Sequence, residues 1–245
     1  MFVIYKKKYI VWGVAAVLFA VGCFSAVYGI KASSIRADKP VIVIDAGHGG
    51  ADGGVSGIST GVKESSLNLK FAFLLKAAVE NQGYRAVLTR TTEAGLYETA
   101  FNTLEETRKS KDMRKRKEII VASKPACVVS LHMNFFSQSS IRGAQVFYNS
   151  ENPESKKLAK ILQGRVNNLN REYAKRDVTA LPGDYYITKA ADYPACILEC
   201  GFLSNPDEER LLLDPEYQEK LIYEAVNGII IYLNTKSRSP DSADG

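Results

Sequence analysis

The chain has 245 residues, 46% of them hydrophobic and 24% charged, a composition that excludes a disordered or fibrous protein. Its length suits one globular domain with a short additional element. The formal net charge is +5, and it falls to +2 without Lys6, Lys7 and Lys8. This balance gives no support for a nucleic-acid-binding protein, since such proteins usually have a strongly basic domain.

The first 30 residues are interpreted as a signal anchor or a signal peptide. The three lysines precede an uncharged, mostly apolar run at 9–30, and about 20 apolar residues suffice to cross a bilayer as a helix. Lysines on the N-terminal side of such a run predict a cytoplasmic N-terminus and an exported remainder. A small-residue cleavage site ends at Gly22, but the apolar run continues past it, which favours an uncleaved anchor over secretion. The alternative is a buried core helix.

Strands and helices alternate after a polar linker at 31–39. Strands are predicted at 41–45, 84–88, 126–132, 143–148 and 195–199, with a short strand at 185–188. Helices are predicted at 65–82, 112–123, 153–173 and 216–233. Residues 90–110 are expected to form a loop with some helix, and the polar tail at 235–245 is expected to be disordered.

This alternation indicates an α/β fold in which a mostly parallel, twisted sheet is flanked by helices on both faces. No internal repeat is visible, so residues 40–234 are predicted to form one domain. Three cysteines, Cys127, Cys196 and Cys200, fall in apolar, strand-like runs and are predicted to be buried hydrophobic residues. Their spacing does not match a structural zinc site, and Cys23 lies in the N-terminal segment.

Polar residues follow three of the predicted strands at the points where those strands end. His48 comes just after strand 41–45, His132 ends strand 126–132, and Glu199 ends strand 195–199. Ligands of open α/β sheets bind outside the carboxyl ends of the strands, so we expect these side chains to lie close together. Glu64 stands near the start of the helix that leaves the first loop, and it returns to the same edge.

Two histidines and one carboxylate are a common ligand set for a catalytic zinc ion with a fourth position for water. The glycines between 47 and 54 allow a sharp turn and the close approach of a substrate. Each histidine could instead be structural, and a glycine-rich loop after a strand could bind phosphate. Phosphate binding, however, does not explain His132 or the two glutamates.

The blocks "DAGHGG", "KESSLNL", "SLHMN" and "LECGFLSNPDEE" occur in this order and cover nearly all of 39–233. Together they resemble the zinc-dependent N-acetylmuramoyl-L-alanine amidases of the AmiC and CwlV type. The resemblance implies one zinc ion per chain, held by His48, Glu64 and His132, with Glu199 as the catalytic acid and base. The chain departs from the family at Ala46, where proline is usual, and the region 90–110 matches poorly.

The implied reaction is hydrolysis of the amide between the lactyl group of N-acetylmuramic acid and L-alanine of the peptidoglycan stem peptide. Zinc polarises a water molecule, and Glu199 accepts its proton and passes it to the leaving amine. The lone anchor, the lack of a wall-binding repeat and "ECGFLSN" resemble the CwlD subgroup, which trims spore cortex so that muramic-δ-lactam can form. The alternatives are a zinc carboxypeptidase-like peptidase and a non-catalytic wall-binding module. Such peptidases usually have a glutamate where this chain has Ala51.

Three further residues are candidates for substrate contact or for support of the ligands. Asn134 and Arg142 lie just beyond His132, and Asp45 could cap the loop or orient His48 through its second ring nitrogen. The segment 108–117, here called the basic run, has seven basic residues in ten. It predicts either contact with an anionic polymer or partner, or a solvated helix face. We therefore expect peptidoglycan, the membrane and a protein activator or localiser as partners, and no nucleic acid.

Overall fold

The computed structural model describes residues 39–99, 107–190 and 192–236. The predicted membrane segment at 1–30, nearly all of the linker at 31–39 and most of the tail at 235–245 lie outside these residues. None of the helices in the described ranges combines the length and the hydropathy needed to span a bilayer.

Six strands in the described residues form one sheet in the order β2-β1-β3-β6-β4-β5. They are β1 (Val41–Ala46), β2 (Arg85–Leu88), β3 (Cys127–Asn134), β4 (Gln145–Tyr148), β5 (Leu181–Pro182) and β6 (Ala195–Phe202). Four pairings are parallel, as predicted, but β4 pairs with β6 in the antiparallel direction, so the sheet is mixed. The reason is that no helix separates β3 from β4, and a parallel connection needs such a crossover.

Helices cover both faces of the sheet, as expected. They are α1 (Glu64–Asn81), α2 (Arg108–Ser123), α3 (Pro153–Leu169), α4 (Tyr186–Lys189), α5 (Pro206–Leu213) and α6 (Pro215–Lys236), with a 3-10 turn at Leu96–Thr99 and a π turn at Asn170–Ala174. Side chains alternate between two cores: Ile42 and Ile44 of β1 pack in the larger one with α1, α3 and α6, whereas Val43 faces α2 and α4.

Two local predictions are wrong. Residues 185–188, predicted as a strand from their aromatic and β-branched content, belong mainly to the short helix α4, because Ile187 packs into the smaller core. Helix α5 was not predicted; Asn205 caps it by accepting from the backbone N–H groups of Asp207 and Glu208. The prediction for the three cysteines of the sheet is confirmed, since all are buried and free.

Strand register places the polar residues of the sheet. Asp45 pairs with Ser130 between β1 and β3, and His132 pairs with Glu199 between β3 and β6. Because side chains alternate along a strand, all four lie on the face that α2 and α4 cover. A bulge after His132 shifts the register near the carboxyl end of β3.

Candidate metal centre

His48, Glu64 and His132, here called the ligand cluster, meet at the carboxyl edge of the sheet. Glu64 Oε1 lies 3.2 Å from His48 Nε2 and 2.9 Å from His132 Nδ1. One ligand atom from each residue lies within 4.8 Å of the others, so the cluster could hold a metal ion. The side chains of His48 and His132 are 25% and 20% exposed, against 4% for Glu64. The site is therefore open to solvent on the side of the imidazoles.

Main-chain donors fix the Glu64 carboxylate in place. Val55 N donates to Oε2 at 2.9 Å, and Met133 N donates to Oε1 at 3.2 Å. Burial alone would raise the pKa of Glu64, but His132 and His48 outweigh it and hold that pKa well below its usual range. The carboxylate therefore stays charged, as a metal ligand must.

The loop after β1 needs glycine where it approaches the ligands. His48 itself has a left-handed backbone, with φ 60°. A Cβ at Gly47 would overlap the imidazole of His132, and a Cβ at Gly54, where φ is 66°, would overlap the carboxylate of Glu64. These two glycines let the loop lie directly against the side chains of His132 and Glu64.

Asp52 supports the imidazole of His48. Its Oδ2 lies 2.9 Å from His48 Nδ1, the nitrogen that faces away from Glu64. Burial lowers the pKa of His48, but the Glu64 and Asp52 carboxylates more than offset it and raise the pKa to about 9. The negative charge on both sides of the ring favours a cation here, which agrees with a metal site. A carboxylate behind a ligand histidine is the usual arrangement around protein-bound metals.

The prediction that Asp45 orients His48 is wrong, because the Asp45 side chain projects from the sheet towards α2 and binds Arg116 there. Its carboxylate accepts from Arg116 Nη1, from Ser130 Oγ and, at 2.7 Å, from Thr89 Oγ1. Burial alone would raise the pKa of Asp45, but Arg116 and the two hydroxyl groups lower it further than burial raises it. A sequence signal for the correct residue did exist, since Asp52 is the one acid of the glycine-rich loop.

Two buried arginines hold the loop from behind. Arg116 donates to the carbonyl groups of Ala46 and His48, both at 2.7 Å, and Arg90 donates to those of Ala46 at 2.9 Å and Gly47 at 3.0 Å. Three successive carbonyl groups are thus bound by guanidinium groups. Arg116 belongs to the basic run but is fully buried, so neither sequence-based interpretation of the run describes it.

Glu199 lies beside the cluster as an unpaired acid. Its side chain is partly exposed, yet its Oε2 is buried with no hydrogen-bond partner among the described residues. Burial raises the pKa of Glu199 to about 7, and the charge of Glu64 adds to this against the opposing effect of the two histidines. A carboxyl group that titrates near neutral pH can both take up and release a proton.

The remaining candidates lie apart from the cluster. Asn134 Oδ1 accepts from the neighbouring Phe135 N at 2.8 Å, and the Asn134 carbonyl accepts from Leu203 N at 2.9 Å. Arg142 is partly exposed and lies near the buried Glu208. In the part of the chain that the structure describes, neither side chain bonds to the ligand cluster, and a substrate contact by either one stays a prediction.

Known proteins are similar to this chain in sequence and in fold. Residues 42–231 match the family model Amidase_3, N-acetylmuramoyl-L-alanine amidase. A germination-specific N-acetylmuramoyl-L-alanine amidase of Bacillus subtilis (strain 168) is 31% identical over 211 residues, which are 86% of this chain and 87% of that protein. The CwlD amidase of Clostridioides difficile, solved in complex with the GerS lipoprotein, is 35% identical with a TM-score of 0.73, over 80% of this chain and 100% of that one. The catalytic domain of CwlV from Bacillus (Paenibacillus) polymyxa var. colistinus is 27% identical with a TM-score of 0.64, over 80% and 98% of the two chains.

Proposed function

Since the chain belongs to the Amidase_3 family of N-acetylmuramoyl-L-alanine amidases, we propose that it is a zinc enzyme that trims spore-cortex peptidoglycan. The bond that it cleaves joins the lactyl group of N-acetylmuramic acid to L-alanine of the stem peptide. The observation that carries the proposal is the meeting of three ligand atoms within 4.8 Å of one another, on a strand edge where Glu199 pairs with His132.

His48 Nε2, Glu64 and His132 Nδ1 would hold one zinc ion per chain. Zinc bound there would lower the pKa of a water molecule towards neutrality, and it would polarise the substrate carbonyl. Asp52 Oδ2 lies 2.9 Å from His48 Nδ1, and a proton held on that nitrogen beside the carboxylate would leave Nε2 free as a ligand. Arg90 and Arg116 keep the His48 loop in position during turnover.

Glu199 is the proton carrier of the proposed reaction. Its unpaired, buried Oε2 takes a proton from the attacking water and delivers it to the nitrogen of L-alanine. An amine leaves poorly unless it is protonated, so one carboxyl group serves both steps. Without metal, the pKa of Glu199 is about 7, above the ordinary value of a glutamate, so the carboxyl group would remain a stronger base than an exposed glutamate when bound zinc lowers this pKa.

The cellular setting is inferred from the relatives. One is a germination-specific amidase, and another was solved with a lipoprotein partner. We infer that this chain acts on cortex peptidoglycan outside the cytoplasm, held by its N-terminal segment or secreted, and that a lipoprotein activates or localises it. Asn134 and Arg142 remain candidates for contact with the substrate or for support of the ligands.

The test is product analysis by mass spectrometry combined with zinc stoichiometry. The wild-type protein is expected to bind one zinc ion and to release intact stem peptides from peptidoglycan without cutting the glycan. His48→Ala should lose both zinc and activity, whereas Glu199→Gln should keep zinc and lose activity. Activity without bound metal would overturn the zinc proposal, and near-normal turnover of Glu199→Gln would overturn the role of Glu199.

A further inference from the structure

Two adjacent depressions share lining residues along the exposed side of α2, and one of them reaches His48 of the ligand cluster. The first, of about 360 Å³, is lined by His48, Asp52, Lys109 and Met113 among others. The second, of about 970 Å³, shares Lys109 and Met113 and continues to Tyr186 of α4. The two together are here called the α2 groove. One end of the α2 groove opens at a proposed zinc ligand, so a substrate bound at the cluster can extend into it.

The α2 groove presents two lysines at a regular spacing. Lys109 and Lys117 stand eight residues apart on the helix, with Met113 halfway between them, so all three lie on one side. Both lysines are exposed, and neither has an ion-pair partner within the described ranges. Arg114 and Lys115, by contrast, both pair with Glu118. Lys109 interacts electrostatically with Asp52, but neither lysine is held in an ion pair within the described ranges, so both can bind a ligand in the groove.

The substrate of this family is asymmetric about the bond that is cleaved. On the sugar side, the carboxyl group of the lactyl substituent forms the amide bond and therefore carries no charge. The stem peptide, by contrast, carries free carboxylates from its second residue onward. Three extended residues span about 10 Å, and eight residues of helix rise about 12 Å. Two carboxylates of a stem peptide that lies along α2 can thus reach both lysines.

We propose that Lys109 and Lys117 bind the carboxylates of the stem peptide, whose chain lies in the α2 groove with Met113 beneath it. This inference rests on the proposed function, because it takes the ligand cluster as the point of cleavage. Val121 and Tyr186, which are 46% and 51% exposed, extend the apolar floor beyond the second lysine. An acidic protein partner could also bind such a surface, but continuity with the His48 cavity favours the substrate.

The experiment compares two double variants of the full-length protein in detergent. Lys109→Gln with Lys117→Gln removes the two charges of the groove, and Lys156→Gln with Lys160→Gln removes two from α3 on the opposite face. Equilibrium dialysis measures binding of radiolabelled L-alanyl-γ-D-glutamyl-diaminopimelate, and of its form with the glutamyl carboxylate amidated, with and without zinc. Steady-state kinetics on a soluble muropeptide gives kcat and KM.

The groove variant is expected to bind the acidic tripeptide about fivefold more weakly and to raise KM by the same factor, with kcat little changed. The amidated peptide should bind wild type more weakly and respond less to the lysine replacements. The α3 variant should match wild type. Unchanged peptide binding by the groove variant overturns the proposal. If that variant instead loses binding of an acidic protein partner, the groove binds the partner and not the stem peptide. A wild-type protein without zinc or activity would instead overturn the proposed function.

Discussion

Arg116 Nη2 donates to the main-chain carbonyl of His48 at 2.7 Å, and this bond joins the interior of α2 to a proposed zinc ligand. His48 adopts φ 60°, a region that costs a non-glycine residue of order 1 kcal/mol. The same guanidinium group also binds Asp45 and Asp112, so it is itself held rigidly. The strained ligand residue is thus maintained by a charged, fully buried partner.

Arg116→Lys should weaken zinc binding about tenfold, as other losses of support around metal ligands do. Lysine keeps the positive charge beside Asp45 but cannot bond several acceptors with a planar fork. Chelator competition measures the affinity, and the visible spectrum of the cobalt-substituted protein reports the ligand geometry. Arg114→Lys, on the same helix, is the control. A wild-type affinity and spectrum for Arg116→Lys would show that the contact does not position His48.

Gly47→Ala is expected to abolish zinc binding, because the new methyl group overlaps the imidazole of His132. The matched control is Gly164→Ala in α3, where a Cβ meets nothing within 4 Å. That change should leave zinc content intact and raise the free energy of unfolding by about 0.5–1 kcal/mol, since glycine is a poor helix former. Zinc stoichiometry and urea unfolding test both variants. Full zinc occupancy in Gly47→Ala would contradict the packing argument.

The sequence predicts the ligand cluster better than it predicts the buried arginine that holds the His48 loop. His48 follows one apolar strand and His132 lies near the carboxyl end of another, and that local pattern suffices to place them at one edge of the sheet. Arg116 lies 71 residues from Asp45, and no local pattern distinguishes it from the exposed lysines beside it. Burial of this one cation depends on how α2 packs against β1. The antiparallel direction of β4 was not predicted for a similar reason, since strand direction depends on the connection and not on strand composition.

Activity should fall as the pH drops below neutrality, since Glu199 must be deprotonated to accept a proton from water. Without metal its pKa is about 7, and the charge of bound zinc lowers it, so the midpoint of kcat/KM in the zinc enzyme should lie between about 5 and 7. Zinc content is measured at each pH, because protonation of the histidines also releases metal. A rate independent of pH between 5 and about 8, with zinc retained, would contradict the assignment.

Asp45 should make the fold sensitive to acid. Its pKa is lower in the folded protein than in the unfolded chain, so its stabilising contribution is fully present above about pH 4 and is lost as the pH falls below that value. In zinc-free wild-type protein, the free energy of unfolding should therefore drop as the pH falls below about 4. Asp45→Asn should be less stable at neutral pH and lose much of this dependence, whereas Asp207→Asn at an exposed position should behave like wild type. If the free energy of unfolding depended on pH equally in wild type and Asp45→Asn, the buried pair with Arg116 would contribute no acid sensitivity.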